Sequence, residues 1–165
     1  MKKTTLLICL LLTVLLFSSC KARTHGDTLY GFTQRMNHLS DTYSLNENGY
    51  ILDQKSSTLS HFYKFGEKEI LLQFKINDEN ILTEMNIVFW EKPVEESEEI
   101  RFISNCISAF IDNEETEKAL FSQSSLSELL KAESNETVEI KKDDTQLLLD
   151  VTEIGTVITV RKNNP

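Results

Sequence analysis

The sequence predicts an α+β domain, an antiparallel sheet of about six strands with helices packed on one face, in the order helix, three strands, helices, three strands. Two observations carry this. Apolar residues recur at steps of three and four from Leu29 to Tyr43 and again from Ile100 to Ile111, the spacing that gathers them on one side of an α-helix. From Leu59 to Phe89, and again from Val138 to Val160, apolar and polar residues alternate instead, as in strands with one face on a core. The turns within each block are short, and short turns join antiparallel neighbours.

The first helix presents Leu29, Phe32, Met36, Leu39 and Tyr43 on one face, with Asp27 placed to cap it. Gly31 weakens it by about 1 kcal/mol relative to alanine. Asn46 to Gly49 is a turn. One side of the first strand carries Leu59, His61, Tyr63 and Phe65, and Gly66-Glu67-Lys68 turns the chain into a second strand with Ile70, Leu72, Phe74 and Ile76 inward. After the turn Asn77 to Asn80, a third strand aligns Ile81, Thr83, Met85, Ile87 and Phe89. Pro93 closes that meander, since it cannot donate to a ladder.

A second helix is expected from Glu95 to about Asp112, with Ile100, Ile103, Ile107, Phe110 and Ile111 on its core face. A third segment follows from Glu114 to Phe121, and Ser125-Leu126-Ser127-Glu128 has the capping-box arrangement for a short helix to Lys131. Three strands then hold Val138 and Ile140, Leu147, Leu149 and Val151, and Ile158 and Val160, separated by Lys142-Asp143-Asp144 and by Gly155. The order would suit a duplicated helix-plus-meander unit. The two meanders share alternation but little residue identity.

The first 20 residues follow a different logic. Lys2 and Lys3 precede an almost unbroken apolar run from Thr4 to Phe17, and small Ser18 and Ser19 lead into Cys20. The run is shorter than the about 20 residues that span a bilayer. This segment resembles a bacterial lipoprotein export signal, with Leu16-Phe17-Ser18-Ser19-Cys20 at the lipobox and Phe17 where an aliphatic residue is usual. The resemblance implies that residues 1–19 are removed and that Cys20 carries the lipid. Residues 20–26 then form a short tether, and residues 27–165 form one domain in the bacterial cell envelope, outside the cytoplasm. Each buried acyl CH₂ adds about 0.8 kcal/mol, so two or three chains, palmitate among them, would hold the protein durably on a membrane.

Of the 165 residues, 17 are basic and 26 acidic, a net charge of −9. Processing would leave 146 residues (165 less 19) and remove Lys2 and Lys3, giving 15 basic against 26 acidic side chains, or −11. Such a surface disfavours nucleic acid and anionic lipid and draws in a basic partner. Cys9 would leave with the signal and Cys20 is committed to lipid, so Cys106 remains alone among Ile103, Ile107 and Phe110, and reads as a small buried hydrophobe.

His25, His38 and His61 have no ligand or catalytic spacing to one another or to carboxylates. Phosphate-loop, nucleophile-elbow and zinc-helix patterns are absent, and no cofactor or metal is expected. Two features remain. The acidic run Glu91, Glu95, Glu96, Glu98 and Glu99 suits the positive end of the second helix and could also face a cationic protein. Trp90 shares strand parity with Val88, opposite Met85, Ile87 and Phe89, so with Leu71 and Phe62 it would form an apolar patch on the far side of the sheet. The expected function is therefore a non-enzymatic protein-binding module, of inhibitor or immunity type, attached to the membrane through Cys20 and recognising a cationic envelope or secreted protein. An envelope enzyme assembled from dispersed histidines and carboxylates, and a structural factor of an envelope complex, are the alternatives.

Overall fold

A computed structural model describes residues 27–40, 42, 44–91, 97–120, 126, 130–131 and 135–163. The chain forms α1 (Leu29–Leu39), a 3-10 turn (Glu47–Gly49), β1 (Ile51–Asp53), β2 (Thr58–Phe65), β3 (Lys68–Ile76), β4 (Leu82–Phe89), α2 (Glu98–Ile111), α3 (Glu114–Leu120), β5 (Thr137–Lys142), β6 (Thr145–Val151) and β7 (Thr156–Lys162). The seven strands make one sheet in the order β1-β2-β3-β4-β7-β6-β5, antiparallel at every pairing. The α+β class and both meanders are as the residue pattern predicts. The last strands of the two meanders, β4 and β7, pair at the centre of the sheet.

Four expectations are corrected. Among the described residues the strand count is seven, because Ile51–Asp53 adds a short edge strand to β2. The cap of α1 is Thr28, whose hydroxyl accepts from the Gly31 N–H; Asp27 is engaged by Lys162 of the last strand instead. The predicted alignment of Ile81 and Thr83 with Met85 fails because the register shifts at Lys75/Ile76, pairing Ile76 with Leu82, and Leu82 takes the buried place. α2 begins at Glu98, with Ser97 in extended conformation as its cap, so Glu95 is not its first residue. Cys20, His25, Tyr43, Pro93, Glu95, Glu96 and most of the segment from Ser125 to Glu128 lie outside the described residues.

The core lies between the helices and one face of the sheet. Leu72, Phe74, Met85, Ile87, Leu149, Ile158 and Val160 meet Phe32 and Met36 of α1 and Phe102, Ile103, Cys106 and Ile107 of α2. Phe32 meets Phe74 edge-on at 4.7 Å, and Phe102, absent from the predicted helix stripe, packs on Tyr63 and Phe65 at 4.9 and 5.1 Å. Burying such rings removes the largest apolar areas in the chain from water. α2 ends at Asp112 in the left-handed conformation. Arg35 clamps that end, its Nε donating to the Ala109 carbonyl at 2.6 Å and its Nη1 lying 3.1 Å from Asp112, a cation where the helix dipole is negative. Gly66 turns β2 into β3 at φ 64°, where a side chain would be strained. Among the described residues no helix is long and apolar enough to cross a membrane.

Candidate functional site: the open face of the sheet

Directly opposed residues in an antiparallel sheet share a face, so the register resolves the side opposite the core into rows. One row is Phe62, Leu71, Val88 and Val157, contributed by four adjacent strands. Trp90, just past the end of β4, lies beside it with its ring stacked on Phe62, centroids 6.3 Å apart and planes within 13°. Phe62 and Trp90 are each 52% exposed. The row predicted from strand parity is thus present, and a stacked aromatic pair stands at its end.

The next row is polar and internally bonded. Ser60, Gln73, Asn86 and Thr159 oppose one another; Gln73 Nε2 donates to Ser60 Oγ at 3.3 Å, and Thr159 Oγ1 donates to Asn86 Oδ1 at 2.7 Å. Beyond it, Glu84 sits between Lys75, at 2.7 Å, and Arg161, at 2.5 Å, and accepts from Asn86 at 3.1 Å. Burial pushes the Glu84 carboxyl up, and the three donors more than reverse this, holding it below the usual carboxylate range. These two rows fasten neighbouring strands together. The apolar row has no such internal use.

At the Trp90 end of the sheet is a cavity of about 200 Å³ whose lining includes Glu67, Lys68, Glu69, Trp90, Glu91 and Glu99. Lys68 Nζ lies 3.9 Å from Glu91 and 3.8 Å from Glu99, so its single charge is divided between two carboxylates. Glu98 and Glu99 occupy the first turn of α2, where the helix dipole favours them. The Ser97 hydroxyl, a backbone N–H and Lys68 hold the Glu99 carboxyl below its usual range.

A larger cavity, of about 500 Å³, lies between α1 and the junction of α2 with α3, and includes Arg35, His38, Ser108, Asp112, Glu114 and Glu117 in its lining. Four of its polar groups are paired within the lining: Ser108 Oγ donates to Glu117 Oε1 at 2.6 Å and Arg35 holds Asp112. His38 is exposed beside it. His61 is elsewhere, on the core face of β2 between the rings of Tyr50 and Tyr63, with Nδ1 2.5 Å from the Gly49 carbonyl oxygen. A carbonyl can only accept, so Nδ1 carries the proton there. A Cβ added at Gly49 would stand 2.8 Å from the imidazole, so a larger residue there would force the ring to shift. Among the described residues neither histidine is hydrogen-bonded to a carboxylate, and no three acidic, histidine or cysteine side chains are grouped to hold a metal ion.

Residue patterns locate the apolar row and Trp90 but not the cavity beside them, because Glu67 and Glu99 meet only after β3 and α2 are packed. The sheet carries an apolar strip ending in a half-exposed aromatic pair, next to a cavity whose lining has more carboxylates than cations. No family model matches the chain, and no curated protein or solved structure is similar enough to it to show kinship.

Proposed function

We propose that this chain is a lipid-anchored binding module of the bacterial cell envelope, attached through Cys20 and docking a cationic protein on the open face of its sheet. The observation that carries the docking surface is the strip of half-buried Leu71, Val88 and Val157 with Phe62 and Trp90 half-exposed and stacked at its end. Half-exposed aromatic residues beside flat aliphatic surface are the usual anchors of protein interfaces, and they offer nothing to the domain's own core. The net charge of −9 supports a basic partner by steering its approach and selecting against acidic competitors. The Lys2-to-Cys20 segment supports the anchor.

The test is affinity capture from envelope extract with the lipidated protein, at low and high salt, alongside Phe62→Asp and Cys20→Ser variants. The reading expects one stoichiometric basic protein, lost at high salt and lost with Phe62→Asp, and a Cys20→Ser chain recovered in the soluble fraction. Capture that is indifferent to Phe62 would contradict the docking face, and a Cys20→Ser chain that stays in the membrane would contradict the anchor.

A further inference from the structure

The open face ends at Trp90, and the charge around that end is uneven: the cavity that Trp90 lines holds Glu67, Glu69, Glu91 and Glu99, against Lys68, paired with Glu91 and Glu99, and Lys64 at its edge, 3.3 Å from Glu69. Any partner covering the apolar row and Trp90 removes water from these carboxylates. A neutral partner would leave them desolvated without compensation. A second copy of this chain would bring the same acid-rich cavity to the interface and add carboxylates faster than cations, because a two-fold interface uses the same patch on both sides. A cation brought by the partner resolves both problems, and the indole ring attracts it further.

We propose that the partner inserts an arginine side chain into this cavity, its guanidinium against Trp90 and among the carboxylates, while flanking apolar residues lie on Phe62, Leu71 and Val88. Arginine suits the site better than lysine because its planar fork stacks on a ring and bonds a carboxylate through two N–H groups at once. The ion pairs of Lys68, at 3.8 and 3.9 Å, are long, and long pairs at a surface are weak and readily exchanged. Lys68 therefore acts as a competitor that the incoming guanidinium displaces. This inference rests on the docking-face reading and gives it a chemical class of ligand.

Trp90 is the only tryptophan, so its emission reports directly on occupancy. The full chain, in detergent, is titrated with acetyl-valyl-arginyl-valine amide and with the same peptide carrying citrulline, which keeps the shape and loses the charge. The arginine peptide is expected to give a saturable emission change at least five-fold tighter than the citrulline peptide. Glu67→Gln/Glu69→Gln, both exposed positions, is expected to weaken it several-fold, Lys68→Gln to tighten it several-fold, and Lys55→Gln, in a distant turn, to leave it unchanged. Equal binding of the two peptides, or Lys68→Gln without effect, overturns the proposal even if Phe62→Asp still abolishes partner capture. Charge-selective peptide binding that survives Phe62→Asp upholds the cation site and overturns only its placement within a larger docking face.

Discussion

Phe62 of β2 and Trp90, just past the end of β4, stack with centroids 6.3 Å apart on the side of the sheet opposite the core, each with half its surface in water. An aromatic pair in that position gains about 0.5–1.5 kcal/mol from the stack and leaves a large apolar area exposed. Its loss is therefore expected to cost the fold little. Trp90→Ala is expected to lower stability by no more than about 1.5 kcal/mol, whereas Phe102→Ala, a fully buried ring, is expected to cost about 3–5 kcal/mol. Urea denaturation followed by circular dichroism measures both.

Glu84 predicts an acid-side dependence of stability. Its carboxyl is held below the usual range when folded, so it contributes stability that is fully present above the unfolded-state value, about 4.3, and is lost as pH falls through the lower folded value. Glu84→Gln is expected to destabilise by about 1–2 kcal/mol at pH 7, discounted because Lys75 and Arg161 are partly exposed. Denaturation midpoints of the two proteins should converge as the pH is lowered below 4.

The Tyr50 and Tyr63 hydroxyls hydrogen-bond to each other at 2.9 Å. Burial pushes the Tyr63 phenol up to about 12 and raises Tyr50 further. A raised folded-state value in an acid keeps its proton in the native state, so this stability is present below the unfolded value of about 10 and is lost as pH rises toward 12. Tyr63→Phe leaves a buried hydroxyl without that partner and is expected to cost about 1–3 kcal/mol, with the double Phe variant less destabilised than the sum of the singles. A double-mutant cycle by thermal denaturation gives the comparison.

Much of the fold follows from local pattern, and its departures have particular causes. Alternation in β2 to β7 is long enough to set which residues face the core, and the shared parity of Val88 in β4 and Trp90 just beyond it foretells the open face. β1 escapes because three residues cannot establish a period. Thr28 and Asp27 are both good capping residues, and the choice is made by Lys162, which is distant in sequence and draws Asp27 away. The shift near Ile76 breaks parity for Ile81 and Thr83 but not for Met85 onward. The cavity at Trp90 is legible only in part: Glu91 and Glu99 stand out as an acidic run, while Glu67 and Lys68 read as turn residues and Glu69 as a polar strand position until the fold brings them together.

Cys106 gives a test of core integrity. Its side chain is fully covered and burial raises its thiol well above the ordinary value, which suppresses the reactive thiolate. In a Cys9→Ser/Cys20→Ser chain, a disulfide reagent at pH 8 is expected to leave the remaining thiol unmodified in buffer and to titrate it completely in denaturant. Rapid modification of the folded protein would show that α2 is not packed on the sheet as described.

The central claim is that the open face, and not the helical side, meets the partner. A photo-crosslinking amino acid placed in turn at Leu71, on the apolar row, and at His38, exposed on α1, tests this most directly in intact envelopes. A discrete adduct to a basic protein is expected from position 71, abolished by high salt, and none from position 38. An adduct from position 38 with a blank at position 71 would contradict it, moving the interface to the helices and the 500 Å³ cavity beside them.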